Sequence, residues 1–115
     1  MEARTTRLAK NEALFREVNE RVVDVTQSFA RSLDLGDEID GFVCECSDPL
    51  CLDRVGPLTV EEYEAVRRDA RRFIIAPNHQ APDVESVVEK RQRYWIVEKS
   101  EGIPSEVARE RDPRS

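Results

Sequence analysis

The sequence predicts an α+β fold, in which a long N-terminal helix leads into a small domain with one capped helix and a short antiparallel sheet. Three observations carry that expectation. Residues 2–35 contain neither proline nor glycine, and their apolar residues recur at helical spacing. All three cysteines lie within Cys44–Cys51, and the only histidine, His79, follows in a Pro-Asn-His loop. A capping box at Thr59 and three short β-prone runs fill the rest of the chain's middle.

The first segment, 2–35, reads as a helical arm. Leu8, Phe15, Val18, Val22, Val25 and Phe29 step by threes and fours after a gap at Asn11, close to a repeat of about 3.5 residues. Gly36 supplies the expected stop. A helix this long spans roughly 45 Å, more than a domain of this size is wide. Phe15, Val18, Val22, Val25 and Phe29 are therefore candidate partner-binding residues, with a homodimer or docking on another protein as the expected use. The competing reading lays the same stripe across the chain's own domain.

Residues 36–99 read as the folded domain. Gly36–Gly41 is a polar connector, and Phe42-Val43 opens an extended run carrying Cys44 and Cys46. Residues two apart on a strand share a face, so both sulfurs reach one point, and the turn at Asp48-Pro49 returns Cys51 towards it. Glu45, between them, is expected on the opposite face and in solvent. Three thiols and one imidazole fill a tetrahedral zinc site, so Cys44, Cys46, Cys51 and His79 are the candidate ligands and zinc the expected cofactor. Water or Asp48 in place of His79, a metal-free thiol pair and inert packing are the competing readings.

Thr59 and Glu62 form the capping box, with Leu58 and Tyr63 as its hydrophobic staple and Val60, Tyr63, Val66 and Ala70 facing the core. Arg67, Arg68, Arg71 and Arg72 suit the negative end of that helix, and an acidic or phosphate-bearing partner is the second reading. Phe73–Ala76 is a short strand stopped by Pro77. Val84–Val88 and Tyr94–Val97 are expected to pair antiparallel, although residues 83–94 also fit a helical stripe. Trp95 reads as a core anchor. Residues 100–115, with glycine, proline and alternating charge, are expected to be a disordered tail.

From Phe42 to Lys99 the chain resembles a set of short uncharacterised bacterial proteins. The resemblance rests on Phe42-x-Cys44-Glu45-Cys46-x-Asp48-x-x-Cys51, Leu58-Thr59-x-x-Glu62-Tyr63-Glu64, Arg72-Phe73 and Pro77-x-His79. Those elements occur together in the group in what is similar to a metal-site pattern, and the resemblance implies no particular activity.

Composition narrows the function. With 115 residues, 39% hydrophobic and 37% charged, the chain has a lean core that a metal or a partner would help to stabilise. A net charge of −6 argues against general nucleic-acid binding. No apolar run nears the roughly 20 residues of a membrane span, and no signal-like segment follows the N-terminus. The expected setting is cytoplasmic, where three cysteines favour metal or thiolate chemistry over disulfides. One histidine and no His-Glu-x-x-His motif argue against a hydrolytic zinc enzyme. The expected function is a non-enzymatic zinc-binding interaction or regulatory module, and the alternative is a zinc-thiol redox or metal sensor.

Overall fold

The computed structural model describes residues 2–33, 38–39, 41–46, 48 and 50–113, with the backbone alone at 2, 29–33 and 38. The architecture is α+β. Helix α1 (Glu2–Leu33) is followed by two small two-stranded pairs. Strand β1 (Glu38–Ile39) pairs antiparallel with β4 (Leu58–Thr59), and β2 (Phe42–Val43) with β3 (Arg54–Val55). Helix α2 (Val60–Arg67) then leads to a three-stranded antiparallel sheet. In it β7 (Trp95–Lys99) lies between β5 (Arg72–Ile75) and β6 (Glu85–Lys90).

Local sequence accounts for most of these elements. The Thr59 hydroxyl accepts from the Glu62 N–H at 3.0 Å, and the Glu62 carboxylate accepts from the Thr59 N–H at 2.9 Å. Leu58 and Tyr63, the staple residues, are both fully buried. Residues 83–94 take the extended alternative, as β6 and the turn after it. The β6–β7 register slips between Val87 and Glu89, which leaves Val88 without a cross-strand partner and 42% exposed. Phe42 and Tyr63 stack at 4.7 Å, among Val55, Leu58, Phe73, Ile74, Ile75 and Val97. Each large apolar side chain in this cluster contributes about 1.5–3 kcal/mol on burial.

Two expectations are corrected. The segment 100–115 is not a disordered tail throughout, because Ile103–Glu110 form helix α3 with Pro104, Ser105, Val107 and Ala108 buried. Pro104 suits a first helical turn, and the Ser105 hydroxyl donates to the Ser100 carbonyl at 2.8 Å. The charge of the segment concealed a short apolar face. The second correction concerns α1, which does not project as a free arm over its middle. It packs on α3 and β2, and its buried face is Ala9, Glu12, Ala13, Arg16, Asn19 and Val23.

Half of that face is polar. Arg16 donates to the carbonyls of Ala70 at 2.6 Å and Ala108 at 2.7 Å, with its guanidinium 4.5 Å from the Phe73 ring centre. Glu12 and Glu85 both contact the Lys99 ammonium, the latter at 2.9 Å. Arg67 pairs with Glu20 of α1 at 2.5 Å and with Asp112. Three of the four arginines near the end of α2 therefore find partners within the chain. Arg71 meets Glu98 and Glu101, Arg72 meets Glu98, and Arg68 alone of the four is exposed without a described pair. The helix stop expected at Gly36 lies outside the described residues.

Candidate metal centre

The four predicted ligands converge. Cys44, Cys46, Cys51 and His79 each offer one donor atom, and all four atoms lie within 4.8 Å of one another. Zinc–sulfur distances of about 2.3 Å set tetrahedral corners roughly 3.8 Å apart, so the donor set is compact enough to close on one ion.

Each ligand is placed by its own backbone. Cys44 continues β2, where its N–H donates to the Asp53 carbonyl at 3.2 Å. Asp48 makes the turn, its Oδ1 accepting the Leu50 N–H at 2.9 Å and its carbonyl the Cys51 N–H at 3.1 Å. Asp48 is thereby a turn residue, and His79 is the fourth donor that stands beside the three sulfurs. His79 arrives on the turn after β5, where its N–H donates to the Ala76 carbonyl at 3.1 Å. Asn78 turns the chain there with φ at 70°, a conformation asparagine tolerates better than most residues.

The imidazole has two distinct ends. Nδ1 lies 3.5 Å from the Cys44 sulfur and 3.6 Å from the Cys51 sulfur. Nε2 lies 3.1 Å from Asp53 Oδ2. A carboxylate on the far nitrogen fixes the tautomer and turns the near nitrogen's lone pair towards the sulfurs. The Ala76 N–H donates to the Cys44 sulfur at 3.1 Å, which favours a thiolate there.

Crowding makes the three thiols unequal. A hydrogen bond from Cys44, stronger than the opposing effect of burial, lowers Cys46 to about 5. The same contact, together with burial, pushes Cys44 far up, and burial raises Cys51. One negative charge is readily held among the sulfurs, and a second or third needs a cation between them. A metal ion held by the four donors could supply that cation.

Glu45 faces away from the sulfurs, as strand alternation predicts, yet it is fully buried and not solvated. Its Oε2 accepts from Asn19 Nδ2 at 2.7 Å and from the Tyr63 hydroxyl at 2.8 Å, and its Oε1 from the Ile74 N–H at 2.9 Å. Burial raises its pKa, against the pull of those three donors. Asn19 is joined to β2 as well, accepting the Val43 N–H and donating to the Val43 carbonyl, both at 2.8 Å. Sequence reasoning missed Asn19 and misjudged the burial of Glu45. The available signal was the series Ala9, Glu12, Ala13, Arg16, Asn19, a second helical stripe of small and polar residues.

The predicted partner stripe runs along α1 beside that face and turns partly outward. Val18 is 40% and Val25 60% exposed, Phe15 is half-buried, and Val22 packs partly against the core. The side chain of Phe29 lies outside the described residues. Phe15 and Val18 also line a shallow hollow with Val43, Cys51 and Leu52, and Leu50 and Leu52 stand 83% and 90% exposed nearby in sequence.

Compared with known protein families, curated proteins and solved structures, the chain matches none. Fold and site define it by themselves as an α+β protein with a three-cysteine, one-histidine cluster that could hold a metal ion. Among the described residues, no helix is long and apolar enough to cross a membrane.

Proposed function

We propose that the chain is a non-enzymatic zinc-binding interaction module. Cys44, Cys46 and Cys51 bind zinc as thiolates and His79 binds through Nδ1, while Asp53 orients the ring. The observation that carries the reading is the meeting of four soft and borderline donors within 4.8 Å, supplied by two separate segments. Four protein donors leave a tetrahedral zinc no position for water, which favours a structural role over a hydrolytic one. Free cysteines suit the reducing cytoplasm.

The outward stripe of α1 is the docking face, and a second copy of the chain is the occupant. Phe15, Val18, Val22 and Val25 keep the alternating spacing that lets a helix pair with itself across a two-fold axis. The polar side of the same helix is already used by the chain's own domain.

Metal analysis of protein purified without a tag tests the site. About one zinc per chain is expected, and its absence from reduced, folded protein would sink the proposal. A groove lined by Cys46, Asp48, Asn78, His79 and Gln80 opens beside the cluster, and this favours the sensor as the second reading. Oxidant-driven release of zinc at low peroxide concentration would distinguish a sensor from an inert structural site.

A further inference from the structure

Glu45 is the residue through which the metal centre reaches α1. It stands between Cys44 and Cys46, so an ion that fixes both sulfurs also fixes the backbone from which the Glu45 carboxylate projects. That carboxylate is fully buried, and its three donors come from α1 (Asn19), α2 (Tyr63) and β5 (Ile74). Asn19 clasps the same segment again through both backbone groups of Val43. The sulfurs thus occupy one side of the strand and the seat of α1 the other.

Hydrogen bonds of this kind fail within about an ångström of displacement, whereas apolar contacts slide. Asn19 supplies the described hydrogen bonds from α1 to Phe42–Cys46, and it lies on a face whose other anchors are polar as well. We infer that zinc occupancy and the docking of α1 are thermodynamically coupled, with Glu45, Asn19 and Tyr63 as the positioning residues that transmit the coupling. Filling the site tightens the helix on the domain. Emptying it lets the middle of α1 lift, which alters the face offered to a partner. The coupling is reciprocal, so a seated α1 raises the affinity for zinc by the factor by which zinc stabilises the seat.

This inference rests on the zinc reading above, and the experiment separates the two. Amide hydrogen exchange is compared between zinc-loaded protein and protein stripped with a chelator. Stripping should speed exchange across residues 16–23 by about tenfold, the lower end of what outer partners of metal ligands contribute. The amides of Phe73–Ile75 and Val97 should change less. Asn19→Ala should abolish the zinc-dependent difference in α1 and weaken zinc binding by a similar factor. Tyr63→Phe keeps the ring against Phe42 and removes one donor to Glu45, so it should narrow the difference even if Asn19→Ala fails to fold. A loaded protein whose α1 exchanges at the same rate after stripping overturns the coupling and leaves the zinc site standing. Equal acceleration at every amide overturns it too, because that is ordinary unfolding. A protein that takes up no zinc removes both.

Discussion

Cys51 is the most exposed of the three sulfurs and is the one held by a turn, so its removal tests the site without opening the core. Structural zinc supplies on the order of 10 kcal/mol of folding free energy in zinc-finger peptides, and a smaller share is expected where a domain keeps an apolar core of its own. Cys51→Ser is expected to cost several kcal/mol and to lower the melting temperature by more than about 10 °C, as read by circular dichroism. An unchanged melting curve would mean that the sulfurs are bystanders. His79→Ala should be milder, since water can take the place of one nitrogen donor. Asp53 gives a finer probe. Its side chain touches the far end of the imidazole while its backbone carbonyl independently holds Cys44. Asp53→Ala should therefore speed zinc loss to a chelator by about 10–100-fold with little change in the sheet. Equal retention in mutant and wild type would show that the carboxylate does not orient the ring.

Among the elements, α1 departs furthest from its sequence pattern. Periodicity located the helix but pointed to Phe15, Val18, Val22 and Val25 as its main face, and the domain took the neighbouring face with Arg16 and Asn19. Arg16 shows why. One guanidinium satisfies carbonyls near the ends of both α2 and α3, and Ala9 and Ala13 let the backbones come close. No hydrophobicity pattern encodes such a contact between distant segments. The cysteine cluster was legible because its spacing within one strand and turn is local, and His79 because it had no rival in the chain. Glu45 was half legible, its direction following from strand alternation and its burial depending on Asn19 and Tyr63. Helix α3 was hidden by its charge. Arg16 thus ties α1 to α3 and to the segment after α2. Arg16→Ala takes its donor from one buried and one half-buried carbonyl and should destabilise by about 3 kcal/mol in urea unfolding. A change below about 0.5 kcal/mol would assign the seating of α1 to its other contacts.

For the whole molecule, α1 buries Glu12, Arg16 and Asn19 on the domain while Val18 and Val25 stay exposed. Val25, 60% exposed, is a cleaner probe of self-association than Val22, whose side chain packs partly against the core. Wild type is expected to sediment as a dimer, and Val25→Glu as a monomer that still binds zinc, because like charges in a shared helix seam repel. A monomeric wild type at tens of micromolar would remove the second copy as occupant. The anchors of α1 carry a further consequence, one of time. Arg16 and Ala108 are 92 positions apart, and Arg4 and Asp83 are 79 apart. Such distant pairings are closed slowly, after the entropy of a long loop has been overcome. During synthesis, α1 emerges long before the carbonyl of Ala108 exists to receive Arg16. A helix made before the segments that hold it is thus among the last elements to be seated, and until then its polar and apolar sides both face water.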